Sequence, residues 1–353
     1  MLARTNDPIA PPKLTFRWIA SSGIVLLIAA FLGLIIGPVS IRPDRVFLEI
    51  FDHFPGVKID SGLSEIEAAI VWDVRLPRMV LGLIVGGLLA ISGAAYQGVF
   101  RNPLADPYLL GVAAGAGLGA TVAIASGATS GTGVVDTLPV AAFLGSAVAV
   151  GITLLVGGAV GKSNRTASLL LAGVAVASLC TAIQTYVQQR ETSTLRQVYS
   201  WILGRLSTSG WNEILMILPY AVVSVAVMLL MRGSLDVLAV GEEEARSLGL
   251  RPERVRWIVI GAASLAAASA VAVSGLIAFV GIIVPHTVRL AVGTSNRLVL
   301  PLSLMLGAAF LSLTDLIART LQSPAELPIG VVTAFFGAPF FLFILRSRSE
   351  SVT

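Results

Sequence analysis

WIVIGAASLAAASAVAVSGLIAFVGIIVPHTV, residues 257–288, runs for 32 positions without a lysine, arginine, aspartate or glutamate. An α-helix needs about 20 apolar residues to cross the ~30 Å hydrocarbon core of a bilayer, so this run is too long for one ordinary span. Ser274 and Gly275 form its natural break, which predicts one span over 257–273 and a second over 276–293. Outward from this pair, apolar stretches bounded by charges and by Pro or Gly predict eight more. They lie near 17–38, 77–99, 108–127, 138–160, 167–188, 212–231, 298–318 and 328–345.

The whole composition agrees with an all-α polytopic membrane protein of about ten transmembrane helices. Of 353 residues, 56% are hydrophobic and 12% charged, against roughly 45–50% and about 25% in soluble domains. With a mean hydropathy of +0.88, soluble enzymes and DNA-binding proteins are poor readings. The formal charge of +4 does not argue for nucleic acid, because the basic residues stand singly between apolar runs rather than in a patch. The single cysteine, Cys180, lies inside an apolar run and excludes an intrachain disulfide or a cysteine metal cluster. Residues 1–16 read as a disordered, Pro-rich cytoplasmic leader, 17–346 as a single transmembrane domain and 347–353 as a cytoplasmic tail. The first run carries no small-residue cleavage site and reads as a retained helix rather than a signal peptide.

Ten spans put both termini on one side, and that side carries fifteen of the 24 Lys and Arg residues. The positive-inside rule therefore predicts cytoplasmic termini in a multi-pass protein of a bacterial or archaeal cytoplasmic membrane. The inner side holds a net +7 and the outer side −3, so the net charge mostly records orientation. Gly82xxxGly86, Gly111xxxGly115, Gly115xxxGly119 and Gly157xxxGly161 fit close helix packing in lipid. Two external segments, 41–73 and 189–211, mix charges with aromatic residues and are expected to lie along the outer interface as short helices.

Chemical signals are few. Val156–Ser163, VGGAVGKS, resembles a phosphate-binding loop, but its first position is Val156 where the pattern needs Gly, and it ends an apolar helix instead of following a strand. Of the two histidines, His53 and His286, the second has no carboxylate or cysteine beside it in sequence, one imidazole cannot make a metal site, and no catalytic triad or carboxylate pair suggests itself. Asp315 and Arg319 are four apart, share a helix face and can pair. Alternatively, Arg319 joins Arg75 and Arg78, at the outer start of the second span, as cationic contacts for an acidic external partner. On the inner side, 232–256 is a soluble segment. Gly241, the acidic turn Glu242–Glu244 and the Gly249 stop predict a short cytoplasmic helix, a natural handle for a soluble motor.

At these residues the chain resembles the FecCD or BtuC-like permeases, subunits of ATP-binding-cassette importers for iron-siderophores, haem and vitamin B12. The matching segments are 75–120, beginning RLPRMVLGLIVGG, then LLLAGVA at 169–175, WILGRL at 201–206, GEEEARSLGL at 241–250, GLIAFVGIIVPHTVRL at 275–290 and ELPIGVVTAFFGAPFFLFIL at 326–345. The resemblance implies the BtuC-like, type II importer permease fold and a homodimer that translocates a metal chelate by alternating access at its interface. It also implies two cytoplasmic ATPase subunits and an external substrate-binding protein. ATP and Mg would belong to the ATPase; no cofactor, metal or catalytic residue is expected in this chain, and no nucleic-acid partner. Matching positions make Arg75 and Arg319 docking contacts for the binding protein, and Arg78 joins them on charge grounds. Gly241, Glu242, Ala245, Arg246, Leu248 and Gly249 match the coupling contacts with the ATPase, and Asn102, Leu104 and Thr166 the cytoplasmic gate. The rival from another class is a secondary transporter or channel independent of ATP. It would be expected to carry an intramembrane ion site, for which Asp315, beside Arg319, is the one candidate.

Overall fold

The protein is described by a computed structural model covering residues 14–128, 136–160, 165–206, 210–323 and 325–349. Every regular element among them is a helix. The ten spans are α1 (Phe16–Ile35), α4 (Leu76–Phe100), α5 (Val112–Ala125), α6 (Thr137–Val160), α7 (Arg165–Arg190), α9 (Asn212–Val240), α11 (Pro252–Ser274), α12 (Val280–Val292), α13 (Asn296–Thr320) and α14 (Ile329–Ser349). Among the described residues, seven of these are long and apolar enough to cross a membrane, and α5, α12 and the apolar part of α14 are shorter. Four small helices lie between them: α2 (Pro43–Asp52), α3 (Glu65–Ala69), α8 (Leu195–Ile202) and α10 (Glu242–Ser247).

At the centre is α4, packed on α13, α11, α12 and α9, while α5, α6 and α7 form a second group that α11 joins to the first. Small residues make these approaches possible, since apolar side chains gain nothing by leaving lipid for one another and close backbone contact must supply the attraction. A Cβ on Gly93 of α4 would run into the carbonyl oxygen of Gly281 in α12, and one on Gly115 of α5 into that of Gly145 in α6. Gly86 faces Gly307 in the same manner. Buried polar side chains tie the same helices: Tyr96 and Ser264 share a 2.5 Å hydrogen bond, and Ser146 Oγ donates to Val112 O at 2.9 Å.

The opening run divides at the expected place, with α11 ending at Ser274 and Gly275 at its C-cap, φ +69°. The second half differs from expectation: α12 begins at Val280, and residues 275–279 are not helical. Exposed backbone polar groups are costly in lipid, and this stretch has partners for them. The Tyr108 hydroxyl donates to Ile277 O at 2.9 Å and accepts from Ile277 N at 3.2 Å, and Arg205 N donates to Ser274 O at 2.8 Å. The sixth span is also longer than expected. Gly233 does not end the helix, so α9 continues past Arg232 to Val240.

Candidate functional site

Two clusters of charge mark the two faces. On the side expected to be outer, Arg75 ends a π-helical turn (Ile70–Arg75) leading into α4, and Arg78 lies one turn further on. Arg319 closes the last turn of α13, one turn after Asp315. The sequence reading aimed all three arginines outward; the structure buries Arg75 and Arg319 and leaves Arg78 half-buried. Arg75 is 3% exposed and donates to Leu34 O at 3.4 Å, Ile35 O at 3.3 Å and Val39 O. Arg319, 5% exposed, donates to Gly33 O at 2.5 Å and stands 3.8 Å from Asp315. The physical reason is the end of α1, whose last carbonyls lack helical partners and carry the negative end of the helix dipole. Two guanidinium groups satisfy them. Arg78 grips Asp315 with Nε and Nη2, at 3.1 and 2.8 Å, while its Nη1 donates to Glu326 at 2.8 Å. The Asp315–Arg319 pair thus sits in a wider network, with Asp315 the anion shared by Arg78 and Arg319. Glu326 was missed: its partner lies 248 positions earlier in the chain, and no local pattern signals it.

On the side expected to be inner, α4 ends at Arg101, which takes a left-handed conformation at φ 51°. Asn102 follows, its backbone N–H on Gln97 O at 3.2 Å and its side chain accepting from Leu104 N at 3.0 Å. Asn102 thus braces the loop, and Leu104 is left exposed on it. Thr166 falls in the first turn of α7, and its side chain lies outside the described residues. The phosphate-loop lookalike falls partly outside them too, its earlier half being the last turn of α6.

The short helix α10 stands between Gly241 and Gly249, the latter at φ +81°. Its residues split by direction. Ala245 is wholly buried and anchors the helix, whereas Leu248, 69% exposed, and Arg246 face outward. Glu242, expected as a surface contact, is instead turned toward three arginines. Arg256 Nη2 donates to it at 2.5 Å, with Arg246 at 3.5 Å and Arg101 at 3.7 Å. The Arg256 hydrogen bond holds the Glu242 carboxyl below the ordinary carboxylate range. Neither Arg101 nor Arg256 stood out in the sequence, where both read only as inner basic residues marking orientation. Beside this cluster a cavity of about 380 Å³ is lined by Gln97, Arg101, Asn102, His286, Arg289 and Asn296, among others. Arg289 donates to Gln97 Oε1, and Gln97 donates onward to Gly281 O at 3.0 Å, which links the C-terminal part of α4 to both the first and the last turn of α12. Among the described residues, no group of three or more His, Cys, Asp or Glu could hold a metal ion.

Comparison with known proteins places this geometry. Residues 25–347 match the FecCD transport family. The cobalamin import system permease protein BtuC of Halobacterium salinarum is 42% identical over 290 residues, covering 82% of this chain and 77% of that protein. The Fe(3+)-citrate import system permease protein YfmE of Bacillus subtilis is 33% identical over 327 residues, 93% of this chain and 94% of that one. Among solved structures, an inward-facing conformation of a metal-chelate type ABC transporter superposes with a TM-score of 0.80 at 29% identity, covering 94% of this chain and 99% of the other.

Proposed function

The chain belongs to the FecCD transport family, and from that premise we propose that it is the permease subunit of an ATP-binding-cassette importer that carries a metal chelate into the cytoplasm. The cargo is a ferric chelate, haem or cobalamin, the first and last being what the two relatives' names describe. The observation that carries this reading is α10, a short helix anchored by buried Ala245 and presenting Leu248 and Arg246 away from the bundle. Such a projection serves a soluble motor, and hydrolysis of ATP with its Mg belongs to that separate ATPase.

The permease works as a homodimer with the path between its halves. What supports this is the outer surface of α7, where Ser178, Thr181 and Thr185 are exposed on a membrane helix, each hydroxyl donating to the carbonyl four residues back at 2.9 Å. Hydroxyls on lipid-facing surface bring no benefit, while along a water-filled path they do. Leu104 and Asn102, with Thr166, close that path on the inside, and rocking of the halves exchanges inner and outer access. An external binding protein docks on the outer face. There Arg78 and Glu326 stand at the rim, while Arg75 ties the end of α1 to the start of α4 and Arg319 ties it to α13. With selectivity residing in that partner, the path need not bind cargo tightly.

Proteoliposomes containing the chain, its ATPase and its binding protein test the proposal with radiolabelled cobalamin, ferric citrate and haem. ATP-dependent accumulation of one of them is expected. Accumulation driven by an ion gradient without ATP would instead establish a secondary transporter.

A further inference from the structure

Glu242 differs from the other residues of α10 in what it touches. Its carboxylate joins three separate parts of the chain: α10 itself through Arg246, the inner end of α11 through Arg256, and the α4–α5 loop through Arg101. The three ties are unequal. Arg256 is 8% exposed and its bond to the half-buried Glu242 is 2.5 Å long, a charge-assisted contact with the cation withdrawn from water. Arg101 is 41% exposed and 3.7 Å away, a contact of the kind that contributes little to stability and exchanges readily. Arg101 immediately precedes Asn102, and its left-handed backbone and its N–H bond to Gln97 fix the direction in which it leaves α4.

We infer that Glu242 is a positioning residue that passes movement of α10 to the loop of Asn102 and Leu104, with Arg256 as the fixed arm and Arg101 as the arm that makes and breaks. A push on Leu248 displaces a helix flanked by Gly241 and Gly249 and held by Ala245, so the carboxylate moves with it. Because Arg256 moves with the same carboxylate, α11 follows. Arg101 is drawn in or released according to the distance. This rests on the permease reading above, and it assigns Glu242 an internal role where the sequence reading assigned it a surface one.

The test reads the loop directly and needs no cargo. In a Cys180→Ala background, Leu104→Cys is labelled with a maleimide in the complex with the system's own ATPase, with and without a non-hydrolysable ATP analogue. The nucleotide-dependent change in labelling rate is expected to shrink about tenfold in Arg101→Gln and in Glu242→Gln, and to persist in Arg101→Lys. All variants are expected to retain the ATPase on size-exclusion chromatography. An undiminished change in Arg101→Gln overturns the inference. Loss of the bound ATPase in Glu242→Gln alone also overturns it, by making Glu242 a motor contact. If the parent chain fails to bind any ATPase, the permease reading falls first, and the inference falls with it.

Discussion

At the scale of single residues, the outer network shows how much rests on one carboxylate. Asp315 is the shared anion of Arg78 and Arg319, and all three side chains are largely withdrawn from solvent. Asp315→Asn keeps the shape and removes the charge, leaving Arg319 with a backbone carbonyl alone. A stranded buried charge of this kind costs about 3–5 kcal/mol, read as a lower melting temperature in detergent. Adding Arg319→Met to Asp315→Asn should recover part of the loss, because the stranded charge is then gone. Glu242 gives a pH-dependent counterpart. Its carboxyl titrates below the usual 4.5 in the fold, chiefly through the Arg256 hydrogen bond. Its stabilisation is therefore complete above pH 4.5 and disappears as the pH falls through the lower folded value. Hydrogen-exchange protection of α10 should drop below that pH in the parent and be independent of it in Glu242→Gln. That arginines gather at the outer end of α4 and α13 is plain in the sequence; their direction is not. Direction depends on the unpaired carbonyls at the end of α1, some forty positions from Arg75 and nearly three hundred from Arg319.

Among elements, the spans follow from composition, because an apolar run of the right length has few alternatives in lipid. Their contacts follow from glycines, and these separate cleanly in a test. Gly93→Ala forces a methyl into the Gly281 backbone where α4 meets α12, and overpacking of that kind costs about 1–3 kcal/mol. Gly151 in α6 has nothing within 4 Å of where its Cβ would stand. Gly151→Ala should therefore be neutral or stabilising, by up to about 1 kcal/mol from helix propensity. Equal melting temperatures for the two variants would remove close packing as the reason for these glycines. The sequence marks the break at Gly275 but not the four residues after it. Leu276, Ile277, Ala278 and Phe279 are as apolar as any helix, and what partners the backbone of Ile277 outside a helix is a tyrosine hydroxyl 169 positions earlier. Likewise Glu242 is legible as the acidic first turn of α10. Its two distant partners, at 101 and 256, reach it only through the folded arrangement of α4 and α11.

For the whole molecule, the charge asymmetry predicts an orientation that labelling can read. With Cys180→Ala as background, Lys58→Cys in the external segment should react with a membrane-impermeant maleimide on intact cells, whereas Ser247→Cys in α10 should react only after permeabilisation. The reverse pattern would invert the topology and place α10 away from any cytoplasmic motor. The interrupted pair α11 and α12 has one more consequence, which concerns how the chain is made. At 13 residues, α12 is about 20 Å long and cannot bridge a ~30 Å hydrocarbon layer unaided. The residues before it need Tyr108, and its backbone needs the groove at Gly93. Both are synthesised long before α12 leaves the ribosome. Membrane insertion of this protein is therefore not a string of independent helix insertions: the later half of the opening run is stable in lipid only once the first half of the chain is already there to receive it.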